Sequence, residues 1–280
     1  MTDTNTSAQV KIPGQTSRTD NWRLYPTLVF LGLSAFAVYA TFRVFENNYY
    51  EAGNLLSPFY SPKLEFTWWK WSPAILILWI PALFRSTCYY YRKAYYRAFF
   101  GTPTACAVKA PVPLSGLLGW LTRPASPEYT GESTGLWSLQ NIHRYSFYLA
   151  TLVLGILWWD AFVTLFAAGH FFNFSYFQIS VGTVVFFWNV LLLSAYSFGC
   201  HACRHLAGGC LDSFSSSGAA KTSLTIWERI TTLNEKHERW AWASLFSVAG
   251  ADVYTTCVAR GVFPDVVLFS LQWITNLGAK

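Results

Sequence analysis

Charge is the scarcest feature of this chain. Charged residues make up 12% of its 280 positions, about half the roughly 25% of an ordinary soluble domain. A water-soluble protein of this size would need a far more charged surface, so a soluble globule is excluded. Basic residues outnumber acidic ones, 20 to 14, but they flank apolar runs and build no basic domain. That excludes nucleic acid as the partner. The first apolar run has no clear small-residue cleavage site, so a cleaved secretory signal is not expected and the first span is retained. No internal repeat is present. The loop at about 93–140, with Pro103, Pro111, Pro113, Pro124 and Pro127, has too few apolar periodic stretches for a core of its own and reads as an ordered cap.

Hydrophobic residues reach 53% and aromatics 19%, with 14 Trp and 16 Tyr. Trp and Tyr suit the two interfaces of a bilayer. Five apolar runs approach the length that a hydrocarbon core demands: Tyr25–Phe42, about Trp68–Ser86 with Pro73 and Pro81 inside it, Tyr145–Ala168, Tyr176–Phe198 and Trp240–Val258. The predicted fold is all-α, an integral membrane bundle of about five transmembrane helices in residues 23–261. A polar N-terminal tail covers residues 1–22, and a C-terminal tail at 262–280 lies along the interface or packs on the bundle. A cytoplasmic N-terminus puts 15 of the 20 basic residues inside, among them Arg85, Arg92, Arg144, Arg204 and Lys236, as the positive-inside rule requires.

On this topology the soft ligands collect at one face. Cys88, Cys106, Cys200, Cys203 and Cys210 fall at the cytoplasmic side with His143, His201, His205 and His237, leaving Cys257 and His170 toward the other. The densest stretch is Cys200-His201-Ala202-Cys203-Arg204-His205. Thiolate and imidazole ligate zinc, iron and iron–sulfur clusters, and a structural disulfide is not expected on the reducing cytosolic side. If the fourth helix runs through this stretch, His201 and His205 share one face and Cys200 and Cys203 another. One solution then joins Cys200 and Cys203 to His143 and His237. Another joins His201 and His205 to Cys88 and Cys106. A third breaks the helix before Gly208-Gly209, so that Cys203-Arg204-His205 ligates as a loop. Cys257 reads as a small buried hydrophobe, His170 as a surface residue and Cys210 as a non-ligand.

Asp160 and Asp252 interrupt spans toward the outer half, where charge is expensive and tends to be functional. The plainer reading is a structural hydrogen bond, with each other or with Asn189. The run Tyr89-Tyr90-Tyr91-Arg92-Lys93-Ala94-Tyr95-Tyr96-Arg97 is an interfacial anchor, a docking surface for a soluble partner or one wall of a quinone site.

Thr87-Cys88-Tyr89-Tyr90-Tyr91-Arg92-Lys93-Ala94-Tyr95-Tyr96-Arg97, Ala105-Cys106-Ala107-Val108, Gln140-Asn141-Ile142-His143-Arg144-Tyr145, Cys200-His201-Ala202-Cys203-Arg204-His205 and Leu233-Asn234-Glu235-Lys236-His237 together resemble the membrane-anchor C subunit of actinobacterial, mycobacterial-type succinate dehydrogenase. The resemblance implies a multi-pass subunit of the bacterial plasma membrane. Its partners would be a flavoprotein subunit that oxidises succinate and an iron–sulfur subunit, and it would pass electrons to a membrane quinone. It also implies a membrane-embedded Rieske-type [2Fe–2S] cluster, which takes two Cys on one iron and two His on the other. Cys203-Arg204-His205 has the spacing of the first soluble Rieske box, but no Cys-x-x-His occurs, so the four ligands stay open among Cys88, Cys106, Cys200, Cys203, His143, His201, His205 and His237. Arg144, Tyr145 and Arg204 are candidate contacts of a quinone headgroup. The alternatives are a haem b anchor, which leaves the cysteines unused, and a membrane protein with a structural zinc site. The oligomeric state, including a higher oligomer of the complex, is left open.

Overall fold

The computed structural model describes residues 21, 24–64, 67–92, 139–166, 176–208, 213–215 and 217–272. Cys106, Cys210, His170, the cap at 93–138 and the N-terminal tail before Asn21 lie outside the described residues.

Each of the five apolar runs contains a helix. α1 is Leu24–Glu46, α2 Ala74–Thr87, α3 Leu139–Val163 and α4 Val181–Phe198. Two helices that the sequence reading did not separate follow, α5 at His201–Gly208 and α6 at Gly218–Glu235. Then comes α7, His237–Ala259. Three helices, at 24–46, 142–163 and 181–198, are long and apolar enough to cross a membrane. α2 has 14 residues, about 21 Å at 1.5 Å per residue. Pro73 sets its start, and Pro81 removes one ladder hydrogen bond inside it.

The all-α expectation needs correction at two places. Glu51–Ala52 (β1) and Leu55–Leu56 (β2) form a short antiparallel hairpin, turned at Gly53, whose φ of 62° suits a residue without Cβ. The predicted fourth span begins instead as a strand, β3 at Tyr176–Ser180, which pairs antiparallel with β4, Val267–Gln272, from the C-terminal tail. The helix starts only after Ser180, whose side chain and that of Thr183 form a reciprocal capping box. Apolar content alone does not separate a strand ladder from the first turns of a helix.

α4 packs against α7, α3 against both α2 and α4, and α5 against α6. The end of α2, the start of α3, the end of α4 and the start of α7 meet at one end of the bundle, where Thr87 touches His143, Cys88 touches His237 and Asn234 bonds Gly199. A buried cluster there holds Phe84, Cys88, Tyr91, Phe147, Tyr196, Cys200 and Ala241.

The opposite end holds the buried charges. Asp252 is fully buried, and its carboxylate accepts Arg43 Nε at 2.8 Å, Arg43 Nη2 at 3.3 Å, Ser57 Oγ at 2.5 Å and the Tyr39 hydroxyl. Arg43 also pairs with Glu46, which pairs in turn with Arg260. Asp160 accepts from the Ser61 hydroxyl. The two carboxylates bond neither each other nor Asn189, whose Oδ1 accepts from Ser247 at 2.9 Å.

Candidate functional site

Four helix ends each deliver one soft donor to the same buried layer. Cys88 caps the C-terminus of α2. His143 stands in the first turns of α3, Cys200 in the break after α4, and His237 opens α7. Cys88 and Cys200 are 4% and 1% exposed, and His143 is 9% exposed.

The break that frees Cys200 comes earlier than any of the three arrangements drawn from the sequence. α4 ends at Phe198, Gly199 caps it, and a new helix begins at His201. A Cβ on Gly199 would lie 2.6 Å from the Ala195 carbonyl oxygen and 3.2 Å from Leu233 Cβ, so a side chain here would collide with the last turn of α4 and crowd the end of α6. The Asn234 amide then donates to the Gly199 carbonyl at 2.8 Å. Cys203-Arg204-His205 is therefore helical, not a loop.

Each buried thiol faces two backbone N–H groups. Burial pushes the Cys88 thiol up, against the pull of the Tyr90 and Tyr91 amides. Burial pushes Cys200 up to about 12, against the amides of Cys203 and Ala202; the Cys203 N–H lies 3.3 Å from Cys200 Sγ. Both are neutral thiols at neutral pH, but each sits in a cradle that favours the thiolate once a cation compensates burial. Cys203 has the burial without such a cradle.

The imidazoles are oriented by neighbours. His143 Nδ1 is 3.0 Å from Thr87 Oγ1, and that hydroxyl has the Leu83 carbonyl as acceptor at 2.7 Å. The Nδ1–H of His143 therefore donates to Thr87, which leaves the Nε2 lone pair for a metal. Phe84 stacks on the His143 ring with centroids 4.9 Å apart and planes 3° apart. His237 Nε2 is 3.5 Å from Cys88 Sγ, its buried Nδ1 has the Gly199 backbone nearby but no hydrogen bond of ordinary geometry, and Tyr196 stacks on its ring at 5.0 Å. The buried Tyr196 hydroxyl also makes no hydrogen bond of ordinary geometry and lies beside the Cys88 thiol. Unpaired buried polar atoms are costly; their concentration in this layer fits a group that would occupy it.

The remaining candidates lie elsewhere. His201 is exposed overall with its ring partly covered, and that partial cover, with the nearby Arg204 charge, lowers its pKa. His205 Nδ1 accepts from Arg144 Nη2 at 3.1 Å. Arg204 donates to Thr231 Oγ1 at 3.0 Å and lies over the Trp227 ring at 4.4 Å. Tyr145 is 44% exposed. Among the described residues no three His, Cys, Asp or Glu side chains are gathered as around a single metal ion.

Beside the layer opens an apolar cavity of about 700 Å³ lined by Leu33, Phe36, Leu78, Trp79, Val153 and Leu245, with Arg85, Ser86, Tyr91 and Arg92 supplying its polar wall. Arg144, Tyr145 and Arg204 do not line it. Sequence reasoning missed Thr87, Tyr196 and Arg85. A helical-face count was the available signal, since Tyr196 lies one turn before Cys200 and Arg85 one turn before Cys88.

Residues 24–261 match the family model for actinobacterial succinate dehydrogenase subunit SdhC. A chain of the Mycobacterium smegmatis Sdh1 complex in the apo form is 36% identical, with 94% of this chain and 97% of that chain covered and a TM-score of 0.71. No curated protein matches. The chain therefore belongs to the actinobacterial succinate dehydrogenase subunit SdhC family, membrane subunits of that enzyme.

Proposed function

We propose that this chain anchors a succinate:quinone oxidoreductase in the plasma membrane and carries a Rieske-type [2Fe–2S] cluster on Cys88, Cys200, His143 and His237. The observation that carries the reading is the convergence of four helix ends on one buried layer with two cradled thiols and two stacked imidazoles. That donor set matches the two Cys and two His of such a cluster. When bound, the cluster would supply a one-electron relay between an iron–sulfur partner and quinone. Thr87 fixes the tautomer of His143, and Phe84 and Tyr196 keep water from the imidazole faces. A haem would leave both cradled thiols without a role.

Five spans, α1 to α4 and α7, with a cytoplasmic N-terminus would put this layer at the cytoplasmic face. There the flavoprotein and iron–sulfur subunits dock. The apolar cavity receives the quinone, its ring toward Arg85 and Tyr91 and its chain among Leu33, Phe36 and Leu78. A volume of about 700 Å³ suits such a ligand.

Two measurements on the purified complex test this. Iron and acid-labile sulfide should fall by two atoms each per complex in Cys88→Ser, Cys200→Ser, His143→Ala and His237→Ala; unchanged iron in any of them removes that residue from the set. Ala37→Trp, which fills the cavity, should raise the quinone KM at least tenfold while succinate oxidation by a soluble dye is kept. An unchanged KM would exclude the cavity as the quinone site.

A further inference from the structure

Arg85 stands between the cavity and the Cys/His layer. On one side its side chain lines the cavity wall. On the other its guanidinium carbon lies 4.5 Å from the centre of the Tyr196 ring, the same ring that stacks on His237 and carries its hydroxyl beside Cys88. Nη1 donates to the Tyr91 hydroxyl at 2.5 Å and to the Ala241 carbonyl at 3.3 Å, and Nη2 donates to Ser244 Oγ at 2.9 Å. Every acceptor is neutral. Among the described residues no carboxylate lies within ion-pair distance of it.

Contrast Arg43 at the far end, which is matched by Asp252 and Glu46. Arg85 is half-buried, and a guanidinium partly withdrawn from water without a counter-ion is stabilised by any negative charge that arises nearby. The negative charge that could offset this one arises in the neighbouring layer, where two thiols become thiolates on binding metal and where each arriving electron adds a further negative charge.

We propose that Arg85 is a positioning residue that supplies the countercharge of the Cys/His layer, stabilising its reduced state and coupling it electrostatically to a ligand in the adjoining cavity. The inference rests on the function proposed above. A purely structural Arg85 would only tie α2 to α7 through Ala241 and Ser244.

The test is a potentiometric titration of the intact complex, followed by the electron paramagnetic resonance signal of the reduced cluster. Arg85→Gln removes the charge and should lower the reduced-to-oxidised ratio at fixed potential about tenfold, a midpoint drop of about 59 mV for one electron. Arg85→Lys keeps the charge and should recover most of the drop. Ser244→Asp sets a carboxylate against Arg85 and should lower the midpoint in the same direction, and it decides the matter if Arg85→Gln yields no complex. A midpoint unmoved in Arg85→Gln or in Ser244→Asp overturns the proposal, and so does an equal drop in the Lys and Gln variants. A wild-type complex without the signal would instead overturn the function on which the inference rests.

Discussion

Replacing Arg43 by Met leaves Asp252, a fully buried carboxylate, as an unmatched charge. Arg43 and Asp252 are 3% and 0% exposed, and Nε lies 2.8 Å from Oδ2. At that separation the attraction is about 6 kcal/mol for an effective dielectric constant near 20, most of it offset by the cost of taking both ions out of water. Losing one partner of a buried pair costs about 3–5 kcal/mol. The Tyr39 and Ser57 hydroxyls remain, so the lower part of that range is expected for Arg43→Met, with a smaller loss for Asp252→Leu, which leaves Arg43 paired with Glu46. The double variant should cost at least about 2 kcal/mol less than the sum, because no charge is then left unmatched. The assay is unfolding of the four proteins of this double-mutant cycle by SDS in mixed micelles, read by far-ultraviolet circular dichroism. A loss below about 1 kcal/mol for Arg43→Met, or strict additivity of the two changes, would refute the reasoning.

Two further outcomes follow from the site. Gly199→Ala forces a methyl into the 2.6 Å gap to the Ala195 carbonyl and should cost about 1–3 kcal/mol as an overpacked contact; because Cys200 is adjacent, iron occupancy should drop with it, and a fully loaded variant of wild-type stability would contradict the geometry. Cys203→Ser and His205→Ala should both retain full iron and sulfide, since neither residue belongs to the proposed four; loss of iron in Cys203→Ser would move the thiolate pair to Cys200 and Cys203.

The positions of the apolar helices were legible because long apolar runs stand out in the sequence, and three of those helices, at 24–46, 142–163 and 181–198, are long and apolar enough to cross a membrane. So was the gathering of Cys and His at one end, since alternating helices put the end of one beside the start of the next. The choice among donors was not legible. It turns on a helix break at Gly199, which depends on Leu233 and Asn234 approaching from a helix 35 residues on in sequence. The amide cradles at Cys88 and Cys200 likewise follow from how each chain leaves its helix, which residue spacing does not specify. Asp252 was legible as an expensive residue, but its partner Arg43 reads in sequence as a cation at the end of the first span. The β3–β4 ladder joins segments about ninety residues apart and carries no alternation that separates it from a helix start.

The most direct test of the central claim is the electron paramagnetic resonance spectrum of the dithionite-reduced, purified wild-type complex, recorded beside its visible spectrum. A reduced [2Fe–2S] signal with the low average g value of mixed His and Cys ligation, without haem bands, is the expected result. A Soret band without that signal, or a colourless sample containing zinc, would contradict the account.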